Sequence, residues 1–309
     1  MKLVFMGTPV LAVKVLEALV KDGHDIAGVY TSPDRIVGRG RNLQYSPVKS
    51  YSIKERLPVY QPHSINSWED YNELKSISPE VIVVAAFAQF LSRKILLIPQ
   101  LGVVNIHPSL LPSYRGPSPI LSAILAGDEK TGVSLMLLES GIDTGPILAQ
   151  LEVPIYEEDT SQSLGDKLFY EGGKLLIETL PKWADNTITP REQNHMLATT
   201  TRKFTKADGL LDWNKDAIVL WREMRAFYPW PSTYTFWNGK RIKIIESSNL
   251  EDSISKKPGT VIDSTYNGLR VATGKGSLVI YRLQVEGKKV IDAREFLMAN
   301  PKIIGATFG

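Results

Sequence analysis

Asn105 and His107 are two residues whose types and spacing suit chemistry on a carbonyl group. They lie two positions apart at the end of an apolar run, in the motif Asn105–Pro112. In extended backbone this spacing places both side chains on the same face. An amide can donate a hydrogen bond to a developing oxyanion, and an imidazole can donate or move a proton near neutral pH. We therefore predict that both act on one carbonyl oxygen. The alternative is that His107 only satisfies hydrogen bonds within its loop.

Asp143 is the third candidate, and it lies in the loop Ser140–Pro146 with Gly141 and Gly145 on either side. Glycines allow a loop to approach its neighbours closely and to adopt unusual dihedral angles. A carboxylate presented in this way can orient an imidazole and raise its pKa. We predict that Asp143 does so for His107. The alternative is that Asp143 caps its own turn, which is the common use of aspartate in such loops.

Several other chemistries have no matching motif in the sequence. The four histidines are scattered and cysteine is absent, so we expect no metal site and no disulfide. There is no G-x-S-x-G motif of a serine hydrolase and no G-x-x-x-x-G-K-[ST] loop for phosphoryl transfer. Gly7 does not begin a G-x-G-x-x-G fingerprint, so we expect a tight strand-to-helix turn there and no nicotinamide cofactor.

The first part of the chain alternates strand-like and helix-like segments, which predicts the elements that position these residues. Lys2–Met6, Val81–Ala86 and Gly102–Ile106 are short apolar runs that suit buried parallel strands. Thr131–Glu139 and Ile147–Ile155 are expected to extend the same sheet. The pattern predicts an α/β fold with a doubly wound, mostly parallel, Rossmann-like sheet. In such sheets ligands bind at the carboxyl ends of the strands, where Asn105 and His107 lie.

The pattern changes after residue 205. Residues 187–205 have no clear periodicity and are predicted to form a linker between a catalytic domain, 1–186, and a C-terminal domain, 206–309. The C-terminal domain contains short β-type runs separated by glycine-rich turns, which predicts a small antiparallel, OB-like β-barrel. Five aromatic residues are expected to pack in the barrel core and between domains rather than stack on bases: Trp213, Trp221, Phe227, Tyr228 and Trp230.

Charge is unevenly distributed along the chain. Residues 1–201 contain 18 Lys and Arg against 22 Asp and Glu, whereas residues 202–309 contain 18 against 11. A basic C-terminal third indicates either a polyanionic partner or a solvated basic surface. A second basic segment, residues 33–49, interrupts a β-α connection with Arg35, Arg39, Arg41 and Lys49 against one acid, Asp34. We favour nucleic-acid binding over a solvated loop for this segment.

The chain resembles the folate-dependent formyltransferases. The resemblance includes the motif Asn105–Pro112, the Asp143 loop, FMGTP at Phe5–Pro9 and SLLPSYRGPSPI at Ser109–Ile120. The segment Pro33–Lys49 and RAFYPWP at Arg225–Pro231 resemble the members that formylate the methionyl group of initiator tRNA. The resemblance implies that 10-formyltetrahydrofolate is the donor co-substrate. It also implies that Asn105 and His107 stabilise the oxyanion, while Asp143 holds His107 and supports proton transfer.

The resemblance also implies two sets of binding residues. The folate-binding residues are expected to be Phe87, Ala88, Gln89, Phe90, Leu91, Ser109, Leu110, Leu111, Pro112 and Ile142. The tRNA-binding residues are expected to be Arg35, Arg39, Arg41, Lys49, Lys203, Lys206, Arg241 and Lys243.

The expected partners are folate and initiator methionyl-tRNA, and we expect a cytoplasmic monomer that does not bind membranes. The apolar run after Met1 stops at Gly7, which is too short for a signal peptide or a membrane span. Three alternatives stay open: a sugar-nucleotide N-formyltransferase, a formyltetrahydrofolate hydrolase, and a non-catalytic RNA-binding protein with the same fold. The first two would share the three candidate catalytic residues, but neither explains the uneven charge.

Overall fold

The computed structural model describes residues 1–37, 42–265 and 268–309. The chain divides into two compact units. The first unit contains Met1–Pro119, Lys130–Pro154 and Gly165–Thr201, and the second contains Ile120–Glu129, Ile155–Leu164 and Arg202–Gly309. Residues 187–201, most of the predicted linker, therefore belong to the first unit.

A seven-stranded sheet forms the centre of the first unit. The strands of the first part of the chain are β1 (Lys2–Gly7), β2 (Asp25–Tyr30), β3 (Arg35–Val37), β4 (Asn42–Gln44), β5 (Val59–Tyr60), β6 (Val81–Ala85), β7 (Val103–His107), β8 (Lys130–Leu137) and β9 (Ile147–Pro154). The sheet order is β5-β2-β1-β6-β7-β8-β9. The pairs β5–β2, β2–β1, β1–β6 and β6–β7 are parallel, whereas the pairs β7–β8 and β8–β9 are antiparallel. The predicted mostly parallel α/β sheet is confirmed.

Six α-helices lie among the described residues of the first part of the chain. They are α1 (Val10–Lys21), α2 (Pro47–Lys54), α3 (Trp68–Ile77), α4 (Arg93–Leu96), α5 (Pro119–Ala126) and α6 (Ser161–Ala184). Helix α2 begins after Ser46, whose hydroxyl accepts a hydrogen bond from the Lys49 backbone at 2.9 Å, and Pro47 occupies its first position. No helix among the described residues is long and apolar enough to cross a membrane.

The turn between β1 and α1 is as tight as the sequence predicts. A Cβ atom added at Gly7 would lie 2.8 Å from both the Ala12 Cβ and the Ala85 carbonyl oxygen. Only glycine fits at such a distance without a backbone shift. The predicted strand-to-helix turn at Gly7 is therefore confirmed.

A six-stranded antiparallel sheet forms the centre of the second unit. Its elements are α7 (Ala217–Ala226), β10 (Tyr234–Trp237), β11 (Lys240–Leu250), β12 (Val261–Thr265), β13 (Gly268–Ala272), β14 (Ser277–Val285), β15 (Val290–Asp292) and α8 (Ala293–Ala299). The order is β10-β11-β14-β13-β12, and β15 pairs with β14. The predicted C-terminal antiparallel β-structure is confirmed, whereas helices α7 and α8 were not predicted.

The aromatic residues of this unit divide into buried and exposed groups. Trp213 and Phe227 are buried, and the Trp213 indole N–H donates a hydrogen bond of 3.0 Å to the Thr235 hydroxyl. Tyr228 is 41% exposed and Trp230 is 51% exposed. Of the residues predicted to pack in the barrel core and between domains, Trp213 and Phe227 are therefore buried, whereas Tyr228 and Trp230 lie outside the buried core of this unit.

Candidate active site

Strand β7 carries Asn105 and His107 in the middle of the first sheet. Asn105 is aligned with Val84 of β6 on one side and Met136 of β8 on the other, and His107 is aligned with Ser134. Both neighbouring strands restrain β7, so the two side chains are held on one face of a rigid element. Asn105 is partly exposed, whereas His107 is only 4% exposed.

The two ring nitrogens of His107 have different partners. Nε2 lies 3.0 Å from the carbonyl oxygen of Tyr114. Because a carbonyl oxygen only accepts hydrogen bonds, Nε2 carries a proton. Nδ1 lies 3.7 Å from Asp143 Oδ2, which is too far for a hydrogen bond but close enough for a strong electrostatic interaction. Nδ1 is therefore the ring nitrogen that gains and loses a proton.

Asp143 is held in place by its own loop and by a backbone amide. Its backbone has a positive φ of 51°, a left-handed conformation that aspartate tolerates better than most residues. Asp143 Oδ2 accepts a hydrogen bond of 2.7 Å from the Gly116 N–H. The structure thus brings Asp143 beside His107, although the two are 36 positions apart.

Burial and charge act in opposite directions on His107. Burial lowers its pKa below the ordinary value, and the Asp143 carboxylate and the Tyr114 carbonyl raise it. The net direction is downward, so burial has the larger effect. The sequence-based prediction is correct that the Asp143 charge raises the His107 pKa, but it omits the larger, opposite effect of burial. His107 is therefore neutral at pH 7.

A hydrogen-bonded layer that the sequence does not predict lies behind Asp143. The Gln193 amide group donates to the Asp143 carbonyl at 2.9 Å and to the Gly145 carbonyl at 2.7 Å. Arg115 donates twice to Gln193 Oε1, at 3.0 and 2.6 Å, and also contacts His195 Nδ1. Both Arg115 and Gln193 are buried. Residues 187–201 therefore fix the loop that carries Asp143.

A cavity of about 180 Å³ opens beside Asn105 and Asp143. The Asn105 side chain has no intramolecular hydrogen-bond partner among the described residues, so its amide faces the cavity unpaired. Ligand pockets usually measure about 300–1,000 Å³, so this one fits one end of a folate-sized molecule. The remaining lining residues are Val84, Phe87, Gln89, Phe90, Leu91, Leu96, Leu138, Glu139 and Gly141.

The predicted folate-binding residues are only partly brought together. Phe87, Gln89, Phe90 and Leu91 line the cavity, whereas Ala88 and Ile142 lie outside its lining, with Ile142 72% exposed. Ser109 and Leu111 are buried, and the turn Ser109–Pro112 is held from inside the unit by the Ser134 hydroxyl, which donates to the Ser109 carbonyl and accepts from the Leu111 N–H.

The predicted tRNA-binding residues of the first unit differ in their surroundings. Arg35 is exposed on β3. Lys49 is largely buried and donates to Asp34 at 2.6 Å and to Gln61 at 2.7 Å, so its charge is already paired within the unit. Arg39 and Arg41 lie outside the described residues. An exposed contact from Lys49 to a nucleic acid would require this ion pair to open.

Three of the predicted tRNA-binding residues of the second unit share one groove. Lys206, Arg241 and Lys243 line it, together with the exposed Trp230. Lys203 is exposed and lies outside this lining. Within the described ranges, no group of three or more His, Asp or Glu side chains could hold a metal ion.

Comparisons with known proteins agree with the fold and the motifs. The profile of the family described as Formyl transferase matches residues 1–180, and that of its C-terminal domain matches residues 203–301. A methionyl-tRNA formyltransferase of Chloroflexus aurantiacus is 44% identical over 298 residues, which cover 96% of this chain and 96% of that protein.

Two solved structures share the fold at lower sequence identity. An N-formyltransferase from Helicobacter canadensis, solved with folinic acid and dTDP-3-aminofucose, has a TM-score of 0.66 at 23% identity, covering 91% of this chain and 98% of that one. A methionyl-tRNA formyltransferase from Clostridium thermocellum has a TM-score of 0.57 at 16% identity, covering 80% and 93%.

Proposed function

Since this chain belongs to the formyl transferase family, we propose that it transfers the formyl group of 10-formyltetrahydrofolate to the α-amino group of methionyl initiator tRNA. One observation supports the proposed formyl transfer. The unpaired Asn105 amide and the Asp143 carboxylate line the same cavity, and His107 lies beside Asp143. The choice of acceptor is supported by the identity to methionyl-tRNA formyltransferases over nearly the whole chain.

The reaction begins with attack of the amine on the formyl carbon. An α-amino group has a pKa of about 7.7, so a useful fraction is neutral and nucleophilic at pH 7. As the new C–N bond forms, the carbonyl electron pair moves to oxygen. The Asn105 amide donates a hydrogen bond to this oxygen, where the negative charge develops. The bond to the folate nitrogen then breaks, and that nitrogen takes the electron pair and a proton.

Asp143 and His107 take up the proton that the attacking amine must lose. Asp143 faces the cavity, and neutral His107 has an available lone pair on Nδ1, 3.7 Å from Asp143 Oδ2. The other ring proton stays on Nε2 throughout, where it is hydrogen-bonded to the Tyr114 carbonyl oxygen. The two side chains therefore act as one proton-accepting pair rather than as two independent groups.

The proposed function also assigns the residues that bind the folate and the residues that bind the tRNA. Phe87, Gln89, Phe90 and Leu91 contact one end of the folate, and Ala88, Ser109–Pro112 and Ile142 complete its surroundings. Residues 1–186 form the catalytic domain and residues 206–309 the tRNA-binding domain. The tRNA backbone is bound by Lys203, Lys206, Arg241 and Lys243, and the tRNA is also bound by Arg35, Arg39, Arg41 and Lys49. The enzyme acts as a monomer in the cytoplasm.

A transfer assay with three acceptors tests this function. The full-length protein is incubated with 10-formyltetrahydrofolate labelled in the formyl group, together with methionyl initiator tRNA, a nucleotide-linked amino sugar, or no acceptor. We expect label in the aminoacyl-tRNA only. Label in the amino sugar would identify a sugar N-formyltransferase, and release of free formate without acceptor would identify a hydrolase. Either result would overturn the proposal.

Gln193 is predicted to position Asp143. Replacement by alanine removes both donors to the Asp143 loop, and a shift of about 1 Å in a catalytic group can cost on the order of 100-fold in rate. We expect Gln193→Ala to lower kcat by about 10- to 100-fold with little change in KM for the formyl donor. Steady-state kinetics at saturating tRNA measure this effect.

Gln193→Glu separates the contact of Gln193 with Arg115 from its contacts with the Asp143 loop. A glutamate keeps acceptor atoms for Arg115 but loses the donors to the Asp143 and Gly145 carbonyls. We expect it to be impaired like the alanine variant while its melting temperature stays nearer to wild type. Wild-type kcat in the glutamate variant would mean that Gln193 serves Arg115 and not the Asp143 loop.

A further inference from the structure

Trp230 stands half-exposed beside three cations in the second unit. The groove that it lines has a volume of about 410 Å³, within the usual range for small-ligand pockets. Its other lining residues include Lys206, Arg241, Lys243, Tyr234 and one acid, Glu286. The indole of Trp213, by contrast, is buried and hydrogen-bonded within the core. Trp230 is therefore not needed for packing in the way that Trp213 is.

The cations of the groove are not neutralised by ion pairs. Among the residues that the structure describes, Lys206, Arg241 and Lys243 have no carboxylate oxygen within 4.0 Å. The guanidinium of Arg241 lies 5.6 Å from the centre of the Tyr234 ring, which orders it without cancelling its charge. Even with Glu286, the lining keeps a positive charge that suits an anionic ligand.

The backbone around Trp230 is restrained. Pro229 and Pro231 flank it, and their rings fix φ on both sides. The Ser232 N–H donates a hydrogen bond of 2.8 Å to the Phe227 carbonyl, which closes the turn. The indole therefore projects from a preorganised turn, so that stacking on it costs little conformational entropy.

We propose that this groove binds an unpaired nucleotide of the tRNA substrate, with its base stacked on Trp230 and the adjacent phosphates on Lys206, Arg241 and Lys243. An aromatic platform between cations is the arrangement that binds single-stranded nucleic acid. A base within a duplex is already stacked and does not present its face. This assignment rests on the proposed function, since that function supplies RNA as the ligand.

Trp230→Leu and Trp230→Phe test the stacking. We expect the leucine variant to bind methionyl initiator tRNA roughly 5- to 150-fold more weakly, and the phenylalanine variant to recover most of the affinity. The matched control is Trp68→Leu, because Trp68 is 74% exposed but lies on α3 of the first unit. Binding is measured at several salt concentrations, with melting temperatures to verify folding. The slope of log Kd against log salt should stay unchanged in Trp230→Leu and fall by about 1 in Lys206→Ala, Arg241→Ala or Lys243→Ala.

The outcomes separate this proposal from the proposed function. Absence of formyl transfer to methionyl-tRNA by the wild-type protein would overturn the function. Normal transfer with equal Kd in Trp230→Leu and Trp68→Leu would overturn only the stacking. The proposal would also fail if Trp230→Leu weakened the binding of a fully paired RNA hairpin as much as it weakened the binding of the tRNA. Competition by an acidic peptide as strong as that by a single-stranded oligonucleotide would instead assign the groove to a protein partner.

Discussion

Asn105→Ala is expected to lower kcat by about 100- to 1,000-fold, the usual cost of removing one oxyanion donor. The Asn105 amide has no intramolecular partner among the described residues, so its removal breaks no bond that holds the fold. The donor acts on charge that exists only in the transition state, and we therefore expect the KM for 10-formyltetrahydrofolate to stay within a few-fold of wild type. Single-turnover kinetics with both substrates saturating measure the effect directly.

Gln89→Ala is the matched comparison, because Gln89 lines the same cavity with an amide that is already engaged. Its Oε1 accepts from the Ile65 N–H at 2.7 Å, and its Nε2 donates to the Pro62 carbonyl at 3.0 Å. We expect this variant to lower the melting temperature and raise the KM for the formyl donor, with a smaller change in kcat than in Asn105→Ala. A larger loss of kcat in Gln89→Ala than in Asn105→Ala would remove Asn105 from the mechanism.

The part of the site that the sequence predicts depends on short-range rules. Asn105 and His107 share a face because side chains alternate along a strand, and the apolar run before them indicates that strand. Asp143 is identified by its flanking glycines, of which Gly145 allows the loop to pass close to the Leu137 carbonyl. Its distance to His107 follows from the pairing of β7 with β8, which the sequence predicts only as an extension of the sheet.

The rest of the site depends on contacts that leave no local pattern. The partners of His107 and Asp143 at Tyr114 and Gly116 are a backbone carbonyl and a backbone N–H, which nearly every residue type supplies. Gln193 lies 50 positions from Asp143, in a segment without periodicity, so nothing in the sequence links the two. The exposure of Trp230 is hidden for a similar reason, since an aromatic residue between two prolines fits a core turn as well as a surface turn.

Asp143→Asn separates the charge of the carboxylate from its shape. An asparagine oxygen can still accept from the Gly116 N–H, so the loop keeps its anchor while the negative charge is lost. That charge raises the pKa of His107 against the larger effect of burial, and its removal lets the pKa fall further. The titration of His107, followed by NMR of its ring protons, should therefore move to lower pH in the variant.

The same variant should lose about 100- to 10,000-fold in kcat, the range for removing a positioned proton acceptor. His107 is already neutral at pH 7 in the wild type, so a lower pKa leaves its protonation state at pH 7 unchanged. The loss must then come from the missing carboxylate, because neutral His107 alone is a weaker proton acceptor than the pair. Near-normal kcat with a shifted His107 titration would show that Asp143 only shapes the loop, and the proton would have to be assigned to His107 alone.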